Sequence, residues 1–291
     1  MKRVKYIVAF AVILILAACT NSDVLDNASN SPSLLTKSDD LEAFEVHLET
    51  AGTLSDKLGD KKSTVQKLTV SGPIDADDVN TFRSMPKLLV LDIKGVEFIE
   101  TSKMYHTTSG TGSSHKVEKN KIGEFMFTGA EASCKFISVT IPDNITAIGK
   151  GAFFSCPIES ISLPDGLKTI GAHAFQETYQ LSSVVIPNTV TAIGERAFFS
   201  SAIKSANIPE GITSIPAECF YGCVNLSSIV IPESVITIGY DGFSSCYSLE
   251  SVQLPSHLEK IEGNAFSMCA FKTILLPESL TSIGDNALAY G

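Results

Sequence analysis

The sequence predicts a repeat solenoid, rich in short parallel strands, with seven stacked turns of 22 or 23 residues behind an irregular α/β N-terminal cap. Three columns of residues predict it. Prolines stand at 142, 164, 187, 209, 232, 255 and 277. Six residues after each proline comes an isoleucine: Ile148, Ile170, Ile193, Ile215, Ile238, Ile261 and Ile283. Eleven after each comes Phe153, Phe175, Phe198, Phe220, Phe243 or Phe266, with Leu288 closing the series. A small residue precedes every one: Ala152, Ala174, Ala197, Cys219, Gly242, Ala265 and Ala287. Agreement at several independent columns is the mark of a stacked, quasi-one-dimensional array.

Each unit opens with a strand. In Leu181-Ser-Ser-Val184-Val-Ile186-Pro187 the apolar residues lie six, three and one before the proline, as they do in Leu226, Ile229 and Ile231. Alternation with polar neighbours turns Val184 and Ile186 inward from a short strand. Proline then ends the strand because it has no N–H for a ladder. The chain returns through an Ile-Gly step and an Ala-Phe pair. Glycine at 149, 171, 194, 239 and 284 suits a tight corner, although Pro216 and Glu262 replace it in two turns, so positive φ is not required throughout. One unit cannot bury its own apolar face; stacked copies place Ile on Ile and Phe on Phe.

The N-terminus reads as a targeting segment. Lys2, Arg3 and Lys5 precede the apolar run from Tyr6 to Leu16, and Ala17-Ala18-Cys19 follows. The run is short for a membrane span and fits a signal peptide over residues 1–18. The alanine pair before Cys19 resembles a bacterial lipobox, which implies cleavage before Cys19, acylation there and membrane attachment through that lipid anchor. Residues 19–40 carry Asn, Ser and Asp without apolar periodicity and form a flexible tether. Residues 41–100 read as strand, helix, strand, helix, strand, with the second helix from Asp75 to Met85 between Leu68-Thr-Val70 and Leu89-Val-Leu91. With a Ser, Thr, Gly and Lys loop over 101–121, this completes a cap over 41–121 that covers the first edge of the solenoid at 122–291. Ile122-Gly123 and Phe127 make a half-turn before the regular array, and extra residues between Phe127 and Phe136 mark a bulge.

The run L-x-x-[IV]-x-[IL]-P, then I-G, then A-F, resembles the BspA-like leucine-rich repeats of bacterial cell-surface proteins, over about residues 122–291. Val46 to Ser55 and Leu89 to Ile93 resemble the region before such repeats in surface lipoproteins of gut Bacteroidetes. The resemblance implies a right-handed solenoid, display on the outer membrane or cell surface of a Gram-negative bacterium, and binding of a protein or glycan, host extracellular matrix among them.

No motif supports catalysis. His47, His106, His115, His173 and His257 are scattered, and the chain has no H-E-x-x-H, no G-x-S-x-G and no P-loop. Gly110-Thr-Gly112 lacks the third glycine and the strand-to-helix context of a dinucleotide loop. Cys156, Cys223, Cys246 and Cys269 each fall three residues after the column phenylalanine, where Thr178 and Ser201 serve other turns. A line of half-buried free thiols is expected, since zinc needs convergent pairs. No cofactor and no metal is expected. The formal charge of −10, lower still once the basic signal peptide is removed, repels phosphate backbones and disfavours nucleic acid.

The candidate ligand surface is the outward side of the strands. Four residues before each proline stand Ser138, Ser160, Ser183, Ser205, Ser228, Ser251 and Thr273; two before stand Thr140, Ser162, Val185, Asn207, Val230, Gln253 and Leu275. The hydroxyl column suits backbone satisfaction and cross-strand pairing. The mixed column varies in size and polarity as a recognition surface can, with Ser183, Ser205 and Ser228 beside it. Glu159, Lys204, Glu250 and Lys272 flank it and could set register with a partner. The expected function is a non-enzymatic, surface-anchored adhesin or interaction scaffold. The alternative is a structural lipoprotein subunit of an envelope assembly, docking through the apolar end after Leu288; a shortened chain would also account for that end.

Overall fold

The computed structural model describes residues 41–107, 113–128 and 135–289. The expected signal peptide, Cys19 and the tether lie outside the described residues, as do Gly110 to Gly112, residues 129–134 of the bulge expected between Phe127 and Phe136, and Tyr290 and Gly291.

The chain begins with β1 (Ala43–His47), a short helix α1 (Leu54–Leu58), β2 (Lys67–Ile74), α2 (Ala76–Ser84) and β3 (Val90–Phe98). α2 starts where it does because Asp75 caps it. The Asp75 carboxylate accepts from the Asp77 N–H, and the Asp78 carboxylate accepts in return from the Asp75 N–H, forming a capping box. Asp78 is fully buried and also accepts from the N–H groups of Gly52 and Leu54, which pins the β1–α1 connection onto α2. Leu68 and Val70 of β2, with Leu91 and Ile93 of β3, alternate inward and are completely buried.

The strands of this segment are not a separate lid. β1, β2 and β3 run parallel and continue into Ser138–Thr140 and Ser160–Ile161 as one five-stranded sheet, with Leu68 opposite Leu91 and Leu91 opposite Val139. The solenoid therefore has about ten turns where the proline columns alone predict seven. The expected loop over 101–121 also carries structure. β4 (Tyr105–His106) and β5 (Ser114–His115) pair antiparallel, and the Tyr105 side chain of β4 is buried.

Three rows run the length of the repeats. On the strand row, Ser205–Asn207 pairs with Ser228–Val230, and Val230 bridges to Gln253. The expectation that every unit opens with a strand fails at Thr273–Leu276, and likewise at Ser183–Ile186, which has no strand pairing. There the Asn207 side chain takes both backbone groups of Ile186, donating from Nδ2 to its carbonyl (2.8 Å) and accepting its N–H at Oδ1 (3.1 Å).

The second row is the Ile-Gly step. Ile122, Ile148, Ile170 and Ile193 form one four-stranded sheet, and Ile215, Ile238, Ile261 and Ile283 form another. The break has a covalent cause. After the isoleucine, the N–H of Gly149, Gly171, Gly194, Gly239, Glu262 and Gly284 donates to the isoleucine carbonyl of the preceding turn. Pro216 has no N–H to give, and the sheet stops between Ile193 and Ile215. The corner glycines are also not there for positive φ. A Cβ on Gly149 would stand 2.8 Å from the Glu124 nitrogen, and one on Gly171 2.7 Å from the Gly149 carbonyl carbon. Close approach of the neighbouring turn is the reason for the column.

The third row is built around the phenylalanines. Residues two before and two after each Phe adopt left-handed backbone, as in His173 (φ 59) and Glu177 (φ 59), Arg196 (φ 56) and Ser200 (φ 51), Asp241 (φ 54) and Ser245 (φ 61). Alternating right- and left-handed residues turn successive N–H groups to the same side. Three N–H groups per turn then donate onward: Arg196 to the Ala217 carbonyl, Phe198 to Cys219 and Ser200 to Tyr221. Every donor points toward the C-terminal end and every carbonyl toward the N-terminal end. The first carbonyls of this polar ladder, Glu124 and Met126, are met by the cap: Tyr105 Oη donates to Glu124 (2.8 Å) and Arg83 Nη1 to Met126 (3.0 Å), with a second bond from Nη1 to the adjacent Phe125 carbonyl (3.0 Å). A guanidinium at the carbonyl end of aligned peptide dipoles complements their charge, as a cation does at a helix C-terminus. Inside the ladder the rings from Phe153 to Phe266 stack at 5.2 to 5.4 Å, within 7° of parallel.

Candidate strand-face interaction surface

The strand row presents the two predicted columns to solvent. Val185 is 76% exposed, Val230 72% and Leu275 89%, which is unusual for aliphatic side chains. Ser162 and Gln253 are exposed, whereas Thr140 and Asn207 are half-buried. Ser183, Ser205 and Ser228 line a shallow trough of about 300 Å³ together with Val185, Asn207 and Val230. Pleating explains the arrangement: Val184, Ala206 and Ile229 point to the core while their neighbours point out. The structure thus brings six of the predicted residues into one depression across three turns. Thr140 and Ser162 lie on the N-terminal side of that depression and Gln253 and Leu275 on the other, along the same row. Asn207 is the exception in chemistry, because both ends of its amide are committed to Ile186.

The cysteine column is more deeply placed than its sequence suggested. Cys156, Cys223, Cys246 and Cys269 are buried, not half-buried, and are free thiols. Cys223, Cys246 and Cys269 each donate Sγ–H to the phenylalanine carbonyl of the preceding turn, Phe198 (3.1 Å), Phe220 (3.2 Å) and Phe243 (3.2 Å). Burial pushes the Cys223 and Cys269 thiols up to about 12 and raises Cys219 and Cys246 as well. These sulfurs are inert small packing groups. Among the described residues no cluster of three His, Cys, Asp or Glu side chains is placed to hold a metal. The histidines stay apart: His173 meets Gln176, His257 lies beside Glu233, and His115 stacks on Tyr105. Burial raises the Asp78 carboxyl against the pull of three backbone N–H groups, and Lys103 binds Asp75 (3.1 Å) and Asp77 (2.7 Å) beside it. That acidic group is occupied with holding the cap together.

The column reading passed over a further exposed set. Four residues after the column phenylalanine stand Tyr179 (66% exposed), Val224 and Tyr247 (57%), interrupted by Ala202 and Ala270. Nearby, Phe199 and Tyr221 stack at 4.8 Å, with Arg196 over Phe199 and paired to Glu218 at 2.7 Å. The signal is present as one more column, but Pro157, Ala202 and Ala270 within it hide it.

A parallel-strand solenoid of 22- and 23-residue turns with stacked isoleucine and phenylalanine columns is a leucine-rich-repeat scaffold. The sequence matches the BspA type leucine rich repeat region, in six copies, over residues 97–224 and 213–291, and the chain belongs to that family. Among solved structures, a leucine-rich repeat protein from Bacteroides ovatus is 28% identical with a TM-score of 0.56, over 66% of this chain and 56% of its own. The chain thus spans little more than half the length of that relative. A leucine-rich repeat protein of T. pallidum is 27% identical with a TM-score of 0.48, over 52% of this chain and 70% of its own. No curated protein matches the sequence.

Proposed function

We propose that this protein is a non-catalytic binding scaffold, held at the cell surface by lipid on Cys19, whose strand face engages a protein or glycan outside the cell. The observation that carries the reading is the exposed strand row. Val185, Val230 and Leu275 stand in solvent along a row whose shallow trough is lined by serines, on a scaffold whose isoleucine and phenylalanine columns are engaged in stacking. Solvated aliphatics that contribute nothing to the core lower solubility and are retained where a partner covers them. The lipobox-like Ala17-Ala18-Cys19 and the tether to residue 40 support display at a distance from a membrane.

The test has two parts. Cells expressing the protein are shaved with protease and probed for the solenoid; loss of the signal with internal markers intact supports outward display, and Cys19→Ala should release the protein from the membrane fraction. Purified protein is then applied to an array of extracellular-matrix proteins and glycans, alongside the V185D/V230D variant and a control substituted at exposed Glu195 on another row. Binding lost in the first variant and kept in the second supports the strand face. Equal binding by all three would move the site elsewhere.

A further inference from the structure

One junction between turns departs from the rest. On the isoleucine row, the N–H four residues after the proline donates to the same column one turn earlier at Lys168, Thr191, Ile236, Glu259 and Thr281. Among the described residues Thr213 makes no such bond to Thr191, and Pro216 has no N–H for Ile193. The row therefore loses both of these links between the turn of Pro187 and the turn of Pro209. On the strand row, Ser183–Ile186 and Ser205–Asn207 are not paired across the same boundary. At the other junctions of the regular array the isoleucine row is paired without a break.

Apolar packing is thinner there too. The inward residue three before the proline is Ile161, Val184, Ile229, Val252 or Ile274 in other turns but Ala206 in this one, and a methyl makes fewer dispersion contacts than a branched chain. Ile148, Ile170, Ile215, Ile238 and Ile261 are buried, whereas Ile193 is half-buried. The phenylalanine row is reinforced instead. Besides the three ladder bonds from Arg196, Phe198 and Ser200, the Arg196 guanidinium donates twice to the Glu218 carboxylate (2.9 and 2.7 Å), and Phe199 stacks on Tyr221. Toward the strand side the boundary is bridged by the Lys204 N–H on the Ser182 carbonyl (3.0 Å) and by the two bonds of the Asn207 amide to Ile186.

We infer that this junction is a hinge. The turns up to Ile193 and the turns from Ser205 onward form two blocks that swing about the reinforced phenylalanine row, parting and closing the strand and isoleucine rows, with the Asn207 amide as the latch. A boundary short of backbone bonds and buried apolar contacts opens at lower cost than its neighbours, and packed blocks turning about a few retained contacts are a common form of such motion. The trough spans the hinge: Ser183, Val184 and Val185 stand on one block, Ser205 to Asn207 and Ser228 to Val230 on the other. Swinging the blocks widens or narrows the trough, so the hinge sets the shape of the strand face.

Spin labels carried on p-acetylphenylalanine test the hinge in the full-length protein in detergent, read as distance distributions by double electron–electron resonance. One pair replaces Asp165 and Glu233, on opposite sides of the hinge, and the other Glu210 and Glu278, within one block; all four are exposed, and each pair lies three turns apart. The expected result is a broad or two-peaked distribution across the hinge and a single narrow one within the block. Pro216→Ala restores an N–H opposite the Ile193 carbonyl and should narrow the first distribution to the width of the second. Glu262 shows that a residue other than glycine serves in that column, since its N–H donates to Ile238 at 2.9 Å. Asn207→Ala removes the latch and should shift the cross-hinge distribution to longer distance; circular dichroism checks that both variants fold. A cross-hinge distribution as narrow as the in-block one overturns the hinge, and so does a broad one that neither substitution moves. The measurement contains no ligand, so a failed hinge leaves the strand-face reading to the binding array, and a failed array leaves the hinge standing.

Discussion

The two long sides of this solenoid are written by the same repeat and have come to different ends. On the phenylalanine side every turn repeats its neighbour: left-handed residues flank each ring, three N–H groups donate onward, and the rings stack nearly parallel. On the strand side the pairing is interrupted at Ser183–Ile186, shrinks to the single bridge Val230–Gln253 further on and is absent at Thr273–Leu276. The phenylalanine side is a spine, in which a change in one turn is felt by two others. The strand side is held up by that spine, and its outward residues are free to vary between Val, Asn, Gln and Leu.

The sharpest way to break this contrast is to cut the spine. Phe198→Ala, in the middle of the stack, should cost about 3–5 kcal/mol by opening a cavity between Phe175 and Phe220, read from urea unfolding. Arg83→Ala removes the cation from the carbonyl end of the ladder and leaves the Phe125 and Met126 carbonyls short of donors. It should cost about 2–3 kcal/mol, and a loss below ~0.5 kcal/mol would mean the ladder end needs no counter-charge. The thiol column sharpens the comparison by pH. Burial raises the folded Cys223 and Cys269 thiols to about 12 from an ordinary 9.0. Because the folded state favours the neutral thiol, its contribution is complete below the unfolded value and is lost as pH climbs between about 9 and 12. Stability should fall across that window, and less so in C223S/C269S. On the strand side Asn207→Ala should cost only about 1 kcal/mol, from two backbone bonds near the surface. Val185→Asp should change stability by less than about 0.5 kcal/mol.

The sequence made the repeat legible because its columns recur with fixed spacing: the proline, isoleucine and phenylalanine positions all took the places expected of them. The extra turns were half visible, since Leu68 and Leu91 stand 23 residues apart, the repeat length; without the proline and phenylalanine columns they read as a cap. Pro216 stands out in the sequence as a substitute for glycine, but that its missing N–H splits the second row depends on the pairing between turns. The glycine column suggests a tight corner from sequence, whereas its structural reason is close approach of the neighbouring turn's backbone. The left-handed ladder was hidden for a related reason. Gly151, His173, Asp241, Asn264 and Asn286 are types that tolerate positive φ, but Glu177, Arg196, Glu218 and Met268 in the same two columns do not announce it, and they adopt it where stacking supplies a partner for each N–H. The outward columns of the candidate site were legible from strand alternation. That Asn207 serves the scaffold was not, because its partner Ile186 depends on where pairing fails.

Native-state hydrogen exchange tests the division of labour most directly, because it reads both sides of each turn in one experiment. The amides of Phe153, Phe175, Phe198, Phe220 and Phe243 should exchange slowest, near the rate set by global unfolding, and the strand-side amides of Ser183 to Ile186 should exchange through local opening orders of magnitude faster. Equal protection on the two sides, or slower exchange along the strand row, would contradict the view that the phenylalanine ladder is the spine and the strand face its variable surface.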